Sequence, residues 1–161
     1  RRFNQLAKLA LPGGGHAILV DDYGHHPKEL AAVFEAARGG WADHRLVVAF
    51  QPHRYSRTRD LFDEFAAVLS SVDALVLTEV YPAGEAPITG ADAKALARSI
   101  RTRGRIDPVV VGSASELPDA LSSLLRDGDL LLVMGAGDIG QVSQLLARNG
   151  LQQEGLPGDA S

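Results

Sequence analysis

The sequence of 161 residues contains no cysteine. That rules out disulfides, thiol nucleophiles and thiolate metal sites, and it agrees with a cytoplasmic setting. It also lacks a surplus of positive charge. Sixteen Lys and Arg stand against 20 Asp and Glu, a formal net charge of −4, whereas general nucleic-acid binding needs a strong basic excess. No apolar run approaches the roughly 18 residues of a membrane-spanning helix, and no charged-then-apolar leader opens the sequence, so neither a span nor a signal peptide is expected. No Gly-x-x-x-x-Gly-Lys-Ser/Thr phosphate loop and no Gly-x-Ser-x-Gly elbow occurs, and there is no internal repeat or low-complexity stretch. Arg1-Arg2-Phe3 is not preceded by a methionine, so a piece of a longer protein is expected. What is present, with 45% hydrophobic residues, has about the length of one globular domain.

Apolar runs alternate with helical patterns along the chain. His16 to Val20, Arg45 to Phe50, Ala74 to Tyr81, Pro108 to Val111 and Leu130 to Met134 read as strands, and the almost unbroken apolar run from Arg45 to Phe50 as one buried on both faces. Between them lie helical segments. Pro27 opens the first, Glu29 favours its dipole, Leu30, Val33, Phe34 and Ala37 form its buried side, and Gly39-Gly40 should stop it. After Phe50, Thr58 is expected to cap a helix with Asp60 in its first turn and Leu61, Phe62, Phe65, Val68 and Leu69 as its apolar stripe. A helix from about Ala91 to Arg103 packs through Leu96, Ala97 and Ile100. Ser113 with Glu116, or Ser115 followed by Glu116 and Pro118, starts the next. The last runs from the Gly135–Gly140 turn to Gly150. Residues 3–11 fit neither period, and residues 151–161 read as a flexible tail after a domain spanning 1–150. Strand–helix alternation implies an α/β, doubly wound, Rossmann-like and largely parallel sheet with helices on both faces. Its carboxyl edge should gather three polar turns: residues 21–26, 51–59 and 78–85.

The second of these turns carries the most chemistry. His53, Arg54, Arg57 and Arg59 crowd one strand-to-helix connection, which points to an anionic ligand. The alternative is a solvated turn with Arg59 paired to Asp63. Asp21 and Asp22 end a strand, where a carboxylate either accepts ribose hydroxyls or caps the following turn. His25, His26 and His53 are poor metal candidates, because adjacent histidines on one turn do not easily aim both rings at one ion, so orientation of a carboxylate or phosphate is the better reading. Gly135-x-Gly137-x-x-Gly140 matches a dinucleotide fingerprint, but it follows the last strand with no further strand to supply the acidic partner. A packing role is therefore expected.

Four ordered motifs then resemble a known family: Asp21-Asp22-Tyr23-Gly24-His25-His26-Pro27, Phe50-Gln51-Pro52-His53-Arg54-Tyr55-Ser56-Arg57-Thr58-Arg59-Asp60, Glu79-Val80-Tyr81-Pro82-Ala83-Gly84-Glu85-Ala86-Pro87-Ile88 and Met134-Gly135-Ala136-Gly137-Asp138-Ile139. Over roughly residues 1 to 149 the chain is similar to the C-terminal domain of the Mur ligases, in particular the UDP-N-acetylmuramate:L-alanine ligases. The resemblance implies an antiparallel N-terminal edge strand, giving a sheet of about six strands, and a three-domain ligase of peptidoglycan precursor synthesis. The UDP-binding and central ATP-binding domains would lie outside this chain. ATP would phosphorylate the lactyl carboxylate of UDP-N-acetylmuramate, and the amine of L-alanine would attack the acyl phosphate. Arg54 and Arg57 are implied to hold the L-alanine carboxylate, with Tyr23 and His25 lining the same pocket. Asp22 is implied at the ATP ribose and Arg2 near the phosphates. His53, Glu79 and Glu85 match the motifs and are expected to support the site, without an assigned role. Mg2+ would be held mainly by the central domain, and this domain alone should be inactive. Ser56 and Lys28 stand where the family often has threonine. A ligase that joins a tripeptide to the same sugar nucleotide, and a non-catalytic anion- or nucleotide-binding module, are the competing readings.

Overall fold

Alternating strands and helices make up the computed structural model, which describes residues 2–151. The order is β1 (Asn4–Ala10), β2 (His16–Asp22), α1 (Pro27–Gly40), β3 (Leu46–Phe50), α2 (Tyr55–Asp60), α3 (Phe62–Leu69), β4 (Ala74–Thr78), α4 (Ala93–Thr102) and β5 (Val109–Val111). A 3-10 turn (Ala114–Glu116) then leads into α5 (Leu117–Leu124), followed by β6 (Leu130–Met134) and α6 (Ile139–Asn149). The six strands form one sheet in the order β1-β2-β6-β3-β4-β5. β1 is antiparallel to β2, with an irregularity between Gln5 and Ala7, and every other pairing is parallel.

Every residue of β3, β4 and β6 is buried, because helices cover both faces of the sheet. On one side Leu30 and Phe34 of α1, Phe65 and Leu69 of α3, and Leu96 and Ile100 of α4 pack on Val48, Phe50, Leu75 and Leu132. On the other, Leu117 and Leu121 of α5 and Ile139 and Leu146 of α6 pack with Leu9 on Val47, Val76 and Leu131. Each such large aliphatic or aromatic side chain contributes about 1.5–3 kcal/mol on full burial.

Several local expectations shift for physical reasons. Thr58 does not cap a helix but lies inside α2, where its Oγ1 donates to the Arg54 carbonyl at 2.9 Å. The helix starts earlier because a carboxylate from another segment, Glu85, accepts the Ser56 N–H. Leu61 then breaks the helix into α2 and α3. Arg59 pairs with Asp60, its neighbour, and not with Asp63. Gly39 and Gly40 remain helical, and α1 is capped one residue later by the Trp41 N–H on Ala37 O. The strand that begins at Ala74 stops at Thr78, since the Glu79 side chain takes up the Val80 and Ala93 N–H groups. Of the two candidate starts near residue 115, Ser113 makes a reciprocal capping box with Glu116. Leu151, expected as the first residue of the tail, is only 4% exposed and belongs to the core. The rest of the expected tail, 152–161, and Arg1 lie outside the described residues.

At the amino end of the sheet an ion pair ties β3 to β6. Arg45, just before β3, donates from Nε (3.0 Å) and Nη2 (2.8 Å) to the two carboxylate oxygens of Asp129, just before β6. Asp129 is 1% exposed and also accepts the Arg126 N–H at 2.7 Å. Asp129→Ala leaves a part-buried guanidinium and a backbone N–H without this acceptor, so it should cost about 3 kcal/mol. A denaturant titration of the variant checks this, and an unchanged midpoint would mean that solvent replaces the pair.

Candidate functional site

The parallel register brings the strand ends to one level: Asp22 is opposite Met134, Met134 opposite Phe50, and Phe50 opposite Leu77. The turns that leave these strands therefore meet. His25 and His53 have ring centroids 5.8 Å apart, Tyr23 meets His25 edge-on at 5.4 Å, and Tyr81 stacks on His53 at 5.4 Å with a 14° interplanar angle. The three polar turns expected at the carboxyl edge are thus joined by a ladder of rings. Backbone bonds reinforce it, with the Tyr81 N–H on Pro52 O and the Arg54 N–H on Tyr81 O, each at 2.8 Å.

Arg54 has φ 76°, a conformation that costs a non-glycine residue about 1–3 kcal/mol and persists only where surrounding bonds impose it. It turns the chain sharply out of β3 and leaves the Arg54 side chain exposed. Arg57, half-buried, donates to the His53 carbonyl at 3.1 Å and approaches His53 Nδ1 at 3.4 Å. Both guanidiniums therefore sit on the first turn of one short helix beside two imidazoles. Burial, then the charges of Arg57, His25 and Arg54, hold the His53 imidazole below its ordinary pKa, with Glu85 opposing. His53 is neutral at neutral pH, so it can accept from Arg57 without adding a third charge.

The acidic residues are mostly engaged by the fold. Asp22, buried, accepts the Phe3 N–H through Oδ2 and the Gly24 N–H through Oδ1, both at 2.7 Å. The turn-capping role of this carboxylate is therefore present, and the same contact ties the entry to β1 against β2. Asp21 faces the opposite side, accepting from Ser143 Oγ of α6 at 2.9 Å. His26 caps α1 in a reciprocal box with Glu29. Burial tends to raise the Glu29 pKa, but the N–H groups of His25 and His26 and the charges of His25 and Arg2 bring it below the usual carboxylate value. Beside Asp22 lies a cleft of about 270 Å³ lined by Arg2, Tyr23, Lys28 and Glu29. Asp92 caps α4 by accepting the Ala95 N–H at 2.9 Å, and Glu79 takes up the Ala93 N–H of the same first turn at 3.1 Å.

The glycine turn after β6 is a packing device. A Cβ on Gly137 would stand 2.5 Å from Gln51 Oε1 and 2.6 Å from Tyr81 Cγ, and one on Gly135 would stand 3.0 Å from Gln51 O. Gln51 fills the space above this turn, donating to Asp138 Oδ1 (2.6 Å) and accepting the Ile139 N–H (3.2 Å). Gln51, Tyr81 and Ser56 contact these residues although their types suggest no chemistry in the sequence. Their only signal was membership of motifs whose other residues carry charge.

A pH dependence follows from His53. With its folded pKa below the ordinary 6.5, stability is complete above that value and is lost as pH falls from 6.5 through the lowered folded pKa. Thermal midpoints measured from neutral pH down to about pH 5 should therefore fall less steeply for His53→Gln than for the parent chain. Parallel slopes would show that His53 contributes nothing to the dependence.

The arrangement matches known proteins. The family described as Mur ligase, glutamate ligase domain, matches residues 1–137. A UDP-N-acetylmuramate–L-alanine ligase of Stenotrophomonas maltophilia is 68% identical over 155 residues, covering 96% of this chain and 32% of that protein. One from Xylella fastidiosa is 69% identical over 150 residues, covering 93% of this chain and 31% of the relative. The chain thus spans about a third of the length of the curated relatives it matches. Among solved structures, the UDP-N-acetylmuramate-alanine ligase of Thermotoga maritima superposes with a TM-score of 0.69 at 27% identity, over 92% of this chain and 29% of that one. With most of its length matched by that family, and with a mixed sheet shared with these ligases, this chain belongs to the Mur ligase family and carries its glutamate ligase domain.

Proposed function

We propose that this domain binds the amino-acid substrate of an ATP-dependent ligase that joins L-alanine to UDP-N-acetylmuramate, in the cytoplasm, during peptidoglycan precursor synthesis. The observation that carries the reading is the pair Arg54 and Arg57 on one helical turn beside His25 and His53, in a chain 68% identical to a relative named for that reaction. Such a domain must hold a small amino acid by its carboxylate with the amine left free to reach an acyl carbon. Two guanidiniums suit this, because each charge-assisted bond to a carboxylate is worth about 1.5–3 kcal/mol and the planar fork fixes orientation. Neutral His53 leaves the positive charge on the arginines. Tyr23, 47% exposed, and His25 would form the adjoining wall.

ATP would lie against the cleft between Arg2 and Asp22. The fit is reasonable: Arg2 and Lys28 supply positive charge, and each Asp22 oxygen, although already accepting one N–H, keeps a second lone pair for a ribose hydroxyl. Among the described residues no group of three or more His, Cys, Asp or Glu is placed to hold a metal ion. Mg2+ would be held mainly by the central domain outside this chain, where it would supply charge neutralisation at the phosphates.

Phosphate release by the full-length protein with ATP, Mg2+ and UDP-N-acetylmuramate, compared for L-alanine, L-serine, glycine and the tripeptide acceptor, tests the reading. Preference for L-alanine supports it. Release only with the tripeptide would transfer the domain to a peptide-recycling ligase, and silence with every acceptor would leave a binding module. In the active protein Arg54→Ala should raise the KM for L-alanine by about 10-fold or more, the loss of one charge-assisted bond, while the KM for ATP moves little. Equal losses for both substrates would mean that Arg54 serves domain closure. The chain of 161 residues should release no phosphate by itself, and turnover by it would overturn the division of labour proposed here.

A further inference from the structure

We propose that Glu85 is the positioning residue that presents Arg54 and Arg57 to the substrate carboxylate, a role that rests on the amino-acid-binding function proposed above. α2 has no side-chain cap of its own: Arg54 occupies the cap position and makes no such bond. The cap comes instead from 29 residues away. Glu85 Oε1 accepts the Ser56 N–H at 3.0 Å, and Oε2 accepts the Ser56 hydroxyl at 2.5 Å. Two bonds to one residue fix direction as well as distance. They hold Ser56 between the two arginines.

The rest of the loop is built to deliver that carboxylate. Ala83 and Gly84 take left-handed conformations (φ 50° and 88°), and the Glu85 N–H closes the turn on Pro82 O at 3.0 Å. The same segment binds the other side of Arg54, since Tyr81 O accepts the Arg54 N–H at 2.8 Å. The strained Arg54 backbone is thus held from before and behind by residues 81 and 85. Glu85 acts on Arg54 through space, by charge, while its two carboxylate oxygens bind Ser56. The Ser56 hydroxyl and N–H hold the Glu85 carboxyl below its usual pKa, with Arg54 adding to the effect, so it stays ionised at neutral pH. A glutamate beside an anion site would ordinarily weaken anion binding. Here it orders the turn while the Arg54 guanidinium remains available.

The test uses the full-length protein with Glu85→Ala, Glu85→Gln, Ser56→Ala and the Glu85→Ala/Ser56→Ala double variant. Glu85→Ala should raise the KM for L-alanine by about 10-fold, with kcat and the KM for ATP and for the sugar nucleotide within about 2-fold. Glu85→Gln, which keeps an oxygen for the Ser56 N–H, should recover most of that loss, and the double variant should be no worse than Glu85→Ala alone. Amide hydrogen exchange without substrates should rise in residues 55–60 of Glu85→Ala and stay unchanged in α6. An unchanged KM for L-alanine, additive losses in the double variant, or exchange rising throughout the domain would each overturn the proposal. If the parent protein shows no L-alanine-dependent turnover, the function proposed above fails. The exchange measurement then decides separately whether Glu85 holds the turn.

Discussion

The structure depends on one row of parallel pairing, in which Asp22, Met134, Phe50 and Leu77 stand side by side at the carboxyl edge of the sheet. Parallel strands are built from evenly spaced backbone bonds, so a slip of one residue in any of them would invert its buried side chains and carry its exit turn out of level. Because β3, β4 and β6 are buried on both faces, such a slip is costly. The meeting of the turns after β2, β3 and β4 is therefore a consequence of core packing.

On that edge the charges are arranged by what binds their partners. Carboxylates are largely engaged by backbone groups: Asp22 by Phe3 and Gly24, Glu79 by Val80 and Ala93, Glu85 by Ser56. Positive charge is left facing outward on Arg54 and, half-buried, on Arg57. A chain with a net charge of −4 thus presents a locally cationic turn, because local geometry and not overall charge sets the field at a site. The neutral His53 ring, stacked on Tyr81, joins the arginine turn to the β4 loop.

Legibility differed by kind of feature. Buried strands are legible as apolar runs, and Arg54, Arg57, His25, His53 and Tyr23 stand in motifs with strong chemical content at strand ends, so the sequence alone puts them near one edge of the sheet. Element ends were less legible. Thr58 looks like a cap in sequence, yet the cap is Glu85, which lies far along the chain and is folded back by the Ala83-Gly84 turn. The strand from Ala74 ends at Thr78 because of a side chain, Glu79, whose reach to Ala93 no periodicity encodes. The glycine turn after β6 carries a nucleotide-like pattern, and only the presence of Gln51 and Tyr81 above it shows that the space is filled.

The sequence by itself determined the class of sheet, the order of its elements, the family and the identity of the charged residues, since those follow from local patterning and from short motifs. Tertiary structure alone decided which carboxylates are engaged by the fold, which arginine is exposed, and that a glutamate 29 residues away holds the arginine turn. These are contacts between segments distant in sequence. A hydrogen bond acts over about 3 Å, so only the folded register could bring its two ends together.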